Sequence, residues 1–380
     1  MGIVHSIFIQ ATLLTFISTG LLQNIIQLSA LIFVYPFHIN TYRRIAEAAQ
    51  TLHWSIVANL GWWSGSKLKI FCSDEDLEHI GNEAAVLIAN HRYSIDFLST
   101  VLVPDQFGRL GQFKAFQKIE TKLLPIVGWG FWFTENIFLR RDAKRDVKAI
   151  ENGVKRLVDS KLPFWLMLYA EGSRFTKDKH ERCEEIAADK GWPSLEHHLQ
   201  PRATGFSKVW EQVKNKNVAI YDMTVQLEDN IDQKMSRVLR KEPVTFHIYI
   251  RRLIPDENLI KNDEEPGEWL RELYQEKDAR FKKLLKTKTL DGHVASFPEG
   301  AKPVREQDLP QPARSNTITK GLMMTVFPSC CYMFYKWSSS SYLGLAASLS
   351  VPLVCQVLVN KIIKSGDISS SSTHGLKKSQ

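Results

Sequence analysis

Asn90-His91-Arg92-Tyr93-Ser94-Ile95-Asp96 and Glu171-Gly172-Ser173-Arg174 are the two stretches of this chain whose side chains could do chemistry together. Histidine, with an ordinary pKa of about 6.5, is the usual general base near neutral pH. It needs a carboxylate to fix its tautomer and to stabilise the imidazolium as it forms. Asp96, five residues after His91, can supply one. The spacing suits His91 in a strand-to-helix turn and Asp96 in the first turn of the helix, because helical side chains lean back toward the N-terminus. Ser94 is the expected N-cap of that helix. In the second stretch, Gly172 lets the backbone approach a ligand closely. Arg174 offers a planar fork of donors matched to phosphate oxygens. Glu171 either orients that arginine or accepts from a substrate hydroxyl. Taken singly, His91 also fits a satisfied core or surface histidine, and Glu171 with Arg174 fits a strand-end turn bearing an ion pair.

Each stretch leaves an apolar run, Ala84-Ala85-Val86-Leu87-Ile88-Ala89 for the first and Phe164-Trp165-Leu166-Met167-Leu168-Tyr169-Ala170 for the second. Short apolar runs ending in polar residues read as buried strands. In open α/β sheets ligands bind outside the carboxyl ends of such strands, so the two stretches are expected to face one cleft. Strands are expected at residues 67–72, 84–89, 164–170, 218–226 and 245–251, and helices at 42–59, 143–160 and 267–285. That alternation predicts a layered α/β domain. Residues 178–199 are charged and read as a surface helix or a mobile insert. Residues 123–139 carry Trp129, Phe131, Trp132, Phe133 and Phe138 with Glu135 among them. They fit either a buried helix or an apolar surface that enters the bilayer or lines an acyl-chain channel.

Between the two stretches lies Ile137-Phe138-Leu139-Arg140-Arg141-Asp142. With this third element the chain resembles the glycerolipid acyltransferases of the lysophosphatidic acid acyltransferase superfamily. The first family block, NHxxxxD, is met by Asn90, His91 and Asp96. The second, apolar-Phe-apolar-x-Arg, puts Arg141 at the family's arginine. The third, EGTR, is met by Glu171, Gly172 and Arg174, with Ser173 keeping the threonine hydroxyl. The fourth is matched by Leu199-Gln200-Pro201-Arg202 followed by Thr204-Gly205-Phe206. Leu124-Pro125-Ile126-Val127-Gly128-Trp129, Phe133-Thr134-Glu135 and the run from Trp269 to Asp278 are similar to the animal gamma/delta branch. The resemblance implies transfer of an acyl group from acyl-CoA to the sn-2 hydroxyl of lysophosphatidic acid, giving phosphatidic acid. His91 would be the base and Asp96 its orienting partner. Arg174, Arg141 and Lys118 would bind the acceptor's phosphate, with Glu171, Gly172 and Ser173 shaping the site. Neither a metal nor a resident cofactor is implied, acyl-CoA being a co-substrate. Two other functions share these residues: a remodelling acyltransferase for lysophosphatidylinositol or lysocardiolipin, and a membrane-anchored lipid binder without activity.

Hydropathy frames the domain. Residues 7–37 carry no Asp, Glu, Lys or Arg and are long enough to span a bilayer. An uncleaved anchor is expected there, a helical hairpin lying partly in the membrane being the second reading. Trp54, Trp62 and Trp63 fit the membrane interface, where indole rings concentrate. Residues 322–335 and 342–359 are further apolar runs. The organisation expected is an anchor at 1–40, an acyltransferase domain at 41–317, a hairpin or two spans at 318–363 and a tail at 364–380. Net charge is +8, from 49 basic and 41 acidic residues, without a basic stripe interleaved with aromatics. Anionic headgroups therefore explain the excess better than nucleic acid does. Arg43 and Arg44 after the first run, with Lys361 and Lys364 after the last, place both flanks in the cytosol by the positive-inside rule. Lys377 and Lys378, fourth and third from the end, resemble a dilysine retrieval signal. Together these features imply a multi-pass protein of the endoplasmic reticulum membrane with a cytosolic tail.

Overall fold

The computed structural model of the protein describes residues 3–227, 236–254, 266–286, 301–304 and 309, with scattered positions between 317 and 339. Its centre is an eight-stranded sheet in the order β4-β3-β5-β2-β6-β7-β1-β8. The strands are β1 (Lys67–Cys72), β2 (Ala85–Ala89), β3 (Phe113–Lys118), β4 (Ile137–Leu139), β5 (Trp165–Tyr169), β6 (Ala219–Leu227), β7 (Thr245–Leu253) and the two-residue β8 (Lys302–Pro303). β4, β3, β5, β2 and β6 pair in parallel, β7 pairs antiparallel with β6, and β1 joins β7 in parallel. β2 is apolar throughout because both of its faces are covered. Leu87 and Ala89 pack with Trp54 and Ala58 of α2 (Ile39–Trp63) and with Leu98 and Leu102 of α4 (Asp96–Gln106). Val86 and Ile88 pack on the other side, with Val154 of α6 (Ala143–Asp159), Phe206 and Trp210 of α8 (Ala203–Val213), and Leu273 and Tyr274 of α10 (Pro266–Lys286). Further α-helices among the described residues are α1 (Ile3–Phe33), α3 (Asp74–His79), α5 (Val127–Phe133), α7 (Lys177–Asp189) and α9 (Ser236–Leu239).

The layered α/β domain expected from the sequence is the architecture observed. The five expected strands start and stop within two residues of their expected limits. Residues 178–199 supply the surface helix α7 and the loop after it.

The N-terminus forms a helical hairpin. α1 is long and apolar enough to cross a membrane over Phe8–Phe33. It packs antiparallel on α2, with Thr19 bonded to His53 (3.1 Å), Gln23 to Gln50 (2.8 Å) and Gln27 to the Ala46 carbonyl (3.1 Å). Asn24 exchanges two hydrogen bonds with the backbone of Ile126 just before α5. The polar residues of this apolar run thus face protein, while Leu21, Leu22, Ile25, Leu28 and Ile32 face outward. Trp54 is buried and stacks on Phe131, rather than meeting a membrane interface. The stretch 123–139 is neither one buried helix nor one surface. Only α5 is helical, Phe133 is buried, and Leu123, Leu124, Trp129 and Trp132 are exposed. Among the scattered positions between 317 and 339, those assigned are helical; residues 340–380, including the whole second C-terminal apolar run and the dilysine, lie outside the described residues.

Candidate active site

β2 and β5 are parallel neighbours with Ala89 opposite Tyr169, so the segments leaving them emerge at the same edge of the sheet. Asn90 fixes the first. Its side chain donates to the Val225 carbonyl (3.0 Å) and accepts from the Val225 amide (2.7 Å), tying the end of β2 to β6. The next residue, His91, stacks on Tyr169 with ring centroids 4.2 Å apart. Asp96 opens α4 and points back, as the spacing predicts, placing Oδ2 2.9 Å from His91 Nδ1. The same oxygen accepts from the amides of Arg92 (3.0 Å) and Tyr93 (2.9 Å). Asp96 is buried, whereas the His91 side chain is 25 % exposed. An accessible imidazole backed by a carboxylate that two amides anchor is suited to accept a proton from a hydroxyl.

The N-cap expectation for Ser94 is overturned. Ile95 occupies the cap position without a side-chain bond, and the first-turn amides of Asp96 and Leu98 donate to the backbone carbonyls of Tyr93 and Ile95. Ser94 Oγ instead accepts from Arg174 Nη1 at 3.0 Å, which brings the first stretch directly against the second.

Glu171 has a different place from either one expected. It is buried, and its two oxygens accept from the amides of His91 (2.9 Å) and Leu199 (3.2 Å). Burial pushes its carboxyl up to about 8, against the pull of those two amides and of Lys277. It therefore holds the backbone of the histidine rather than orienting Arg174. Gly172 has φ +70°, a left-handed conformation that favours glycine. A Cβ there would meet the side chain of Arg202 at 2.7 Å, so this close approach is to Arg202.

The basic residues gather on the neighbouring strands. Lys118 ends β3 and sits opposite Leu139 of β4, two residues before Arg141. Both strands run parallel to β5, so Lys118, Arg141 and Arg174 lie at one sheet edge. Two further cations join them, Arg202 of the fourth block and Lys179, which belongs to no motif. The Arg202 amide donates to the Ala170 carbonyl (2.7 Å), and Lys179 Nζ lies 3.3 Å from the Arg174 carbonyl. Burial lowers the Lys179 pKa, and the charges of Arg174, Arg202, Lys118 and Arg141 lower it further. Arg202 stands in the fourth block, to which the sequence assigns no role.

Fold and site together define a layered α/β domain with an open His–Asp pair beside clustered cations. The acyltransferase family model matches residues 70–226, and the acyltransferase C-terminus model matches residues 237–320. Among curated relatives, 1-acyl-sn-glycerol-3-phosphate acyltransferase delta of Homo sapiens is 32 % identical, over 95 % of this chain and 92 % of its own length. The gamma form of Mus musculus is 35 % identical over 70 % of each chain. Acyltransferase 2 of Arabidopsis thaliana is 31 % identical over 94 % of this chain and 91 % of its own. The crystal structure of the 1-acyl-sn-glycerophosphate (LPA) acyltransferase PlsC from Thermotoga maritima aligns with a TM-score of 0.41 and 16 % identity, covering 71 % of this chain and 97 % of that one. The chain belongs to the 1-acyl-sn-glycerol-3-phosphate acyltransferase family.

Proposed function

We propose that this enzyme acylates the sn-2 hydroxyl of lysophosphatidic acid from an acyl-CoA thioester, giving phosphatidic acid and coenzyme A. The observation that carries the reading is the His91–Asp96 pair, bonded at 2.9 Å with its imidazole open beside the cations of the same sheet edge. His91 removes the hydroxyl proton as the oxygen attacks the thioester carbonyl, while Asp96 holds Nδ1–H and balances the imidazolium charge. The tetrahedral intermediate collapses with cleavage of the C–S bond. The thiolate leaves and takes the proton back from His91. Arg174 and Arg141, with Lys118 beside them, bind the phosphate of the acceptor through charge-assisted bonds. Names of the relatives support this acceptor.

The protein works at a bilayer. The outward apolar side chains of α1 enter the lipid together with exposed Leu123, Leu124, Trp129 and Trp132. The basic flanks and the terminal dilysine support residence in the endoplasmic reticulum membrane, with more than one membrane segment and a cytosolic tail.

The test is acyl transfer by purified protein in lipid micelles, from labelled oleoyl-CoA to lysophosphatidic acid, with His91→Ala alongside. Phosphatidic acid formed by the wild type and nearly absent with the variant is the expected result. Comparable activity in both would remove His91 as the base. Product only with another lysophospholipid would keep the chemistry and replace the acceptor.

A further inference from the structure

A second group of cations lies on the opposite face of β3 and β4 from Lys118. In β4, Ile137 and Leu139 pack into the core against α6 and α8. Lys118 of β3 pairs with Leu139 and shares its face. Phe138, between those two core residues, points the other way, and Lys122 Nζ sits 4.7 Å from the centre of its ring. Burial lowers the Lys122 pKa, and the charges of Arg140 and Arg156 lower it further. Those of Lys118, Arg141, Arg174 and Arg202 act instead on Lys179. The two groups of cations are therefore distinct in place as well as in neighbours.

Among the described residues no carboxylate pairs with the side chain of Lys122 or Arg140. Arg156 reaches Glu135 at 4.0 Å, but that carboxylate already accepts two bonds from Arg43. Like charges so placed repel one another until an anion joins them. The surroundings say which anion. Lys122 lines a cleft of about 390 Å³ with Trp129, Trp132 and Phe133. Leu123 and Leu124 follow it in the chain, and both are exposed, as are the two indoles. A water-soluble phosphate has no use for such walls, whereas a lipid presents a phosphate and apolar chains within one molecule. The surface also adjoins α1. Asn24 holds the Ile126 backbone, and a Cβ on Gly130 of α5 would clash with the Gln23 side chain. Indole rings and a half-buried lysine beside an apolar helix are groups that concentrate at the headgroup level of a bilayer.

We propose that Lys122 and Arg140 hold the phosphate of an anionic phospholipid of the bilayer, with its acyl chains along Trp129 and Trp132, at a site distinct from the acceptor-phosphate cations. The proposal rests on the reading above that this surface enters lipid, and one experiment separates the two. Full-length protein is reconstituted in phosphatidylcholine vesicles carrying a minor fraction of brominated-chain phosphatidylglycerol or, in parallel, brominated-chain phosphatidylcholine. Both quenchers are already acylated at sn-2, so neither can act as acceptor. Bromine quenches indole fluorescence on contact, and the quenching lost in Trp129→Phe/Trp132→Phe reports the lipid at this cleft. In the wild type the anionic quencher is expected to be enriched there over the neutral one, by about fivefold for each cation. Lys122→Ala/Arg140→Ala should make the two quenchers equal, and Lys122→Arg should keep the enrichment. Arg174→Ala should leave it unchanged, since Arg174 belongs to the other group of cations. Equal quenching by the two lipids in the wild type would overturn the proposal, as would an enrichment that survives Lys122→Ala/Arg140→Ala or disappears in Arg174→Ala. Quenching of these indoles by neither lipid would instead remove the underlying reading that this surface meets the bilayer.

Discussion

The molecule contains two histidine–aspartate pairs of nearly the same geometry and opposite character. His91 Nδ1 lies 2.9 Å from Asp96, and His198 Nδ1 lies 2.8 Å from Asp278. His91 is 25 % exposed at the mouth of the site, whereas His198 is 1 % exposed between Tyr274 and Phe281. Burial pushes the His198 pKa down to about 4, and its Nε2 is buried without a hydrogen-bond partner among the described residues. Burial pushes the Asp278 carboxyl up, but bonds from His198 and the amides of Glu196 and His197 outweigh it and hold the group below its usual value. The second pair is thus a neutral imidazole donating to a carboxylate, with no atom offered to a substrate. Access, rather than the His–Asp distance, separates chemistry from architecture.

The buried pair nevertheless serves the open one. Asp278 gathers the amides of Glu196 (2.9 Å) and His197 (2.7 Å), which fixes the loop leading to Leu199. Leu199 and His91 share the Glu171 carboxylate. On the same helix, Lys277 donates to the carbonyls of Ile88 (3.3 Å) and Met223 (2.9 Å), and Tyr274 donates to that of Ala89 (3.3 Å). Lys277 and Arg280 also pair with the buried Asp222 of β6. Helix α10 thereby grips the end of β2, one residue before Asn90.

The largest expected difference between the pairs is in turnover. His91→Ala should lower kcat about 10²- to 10⁴-fold, the usual contribution of a general base, with little change in melting temperature. His198→Ala should do the reverse, losing about 2–4 kcal/mol of stability through a cavity and a broken charge-assisted bond. Folded fractions of the two variants matched by circular dichroism, then assayed for acyl transfer, would break the comparison if His198→Ala lost turnover to the same degree as His91→Ala.

Next in size is Asp278→Ala. Three donors lose one acceptor, two of them backbone amides beneath the site. Unsatisfied buried donors cost about 1–3 kcal/mol each, discounted here because the loop can reach water, so about 3 kcal/mol in denaturant unfolding is expected. If the loop also positions Glu171, kcat at saturating substrate should fall severalfold in fully folded protein. A stability loss with unchanged kcat would confine Asp278 to architecture.

Acid sharpens the same contrast through stability alone. The unfolded His198 takes its proton near 6.5, while the folded one resists until about 4. Stability from this group is fully present above about 6.5 and is lost as pH falls through the folded value. The gap between 6.5 and about 4 amounts to about 3 kcal/mol. Between pH 6.5 and 4.5 the wild type should therefore lose more melting temperature than His198→Asn, which has no such proton to bind. Equal slopes for the two proteins would assign the acid sensitivity elsewhere.

The open pair was legible in the sequence because its parts are local. Both strands before the motifs are uninterrupted apolar runs, and five residues connect the base to its carboxylate. The buried pair was not, since His198 and Asp278 are eighty residues apart and meet only after α10 docks. β3 escaped for a related reason. Lys114 interrupts its apolar pattern, yet it is buried and neutralised by Glu47 of α2 at 2.9 Å, a partner that no local reading supplies. β4 spans three residues, too few to show a period. Glu171 was read as a chemical group because it stands in a motif, whereas its burial and its two backbone donors become visible only once the strands are side by side. Lys179 and Arg202 were missed because spacing along the chain does not reveal which cations share an edge.

The smallest expected effect tests the link between the open pair and the cations. Ser94 Oγ accepts from Arg174 at 3.0 Å in an exposed position, so Ser94→Ala removes one bond without leaving a buried group unsatisfied. A hydrogen bond to a charged group at such a site contributes about 0.5–1.5 kcal/mol, equivalent to roughly a two- to tenfold change in affinity. On the proposed role of Arg174 in binding the acceptor phosphate, the change should fall on KM for lysophosphatidic acid. kcat and the pH profile should stay close to wild type. A lowered kcat with unchanged KM would mean that Ser94 acts on the His91 turn instead, and the open pair would then depend on Arg174 for its geometry as well as for its substrate.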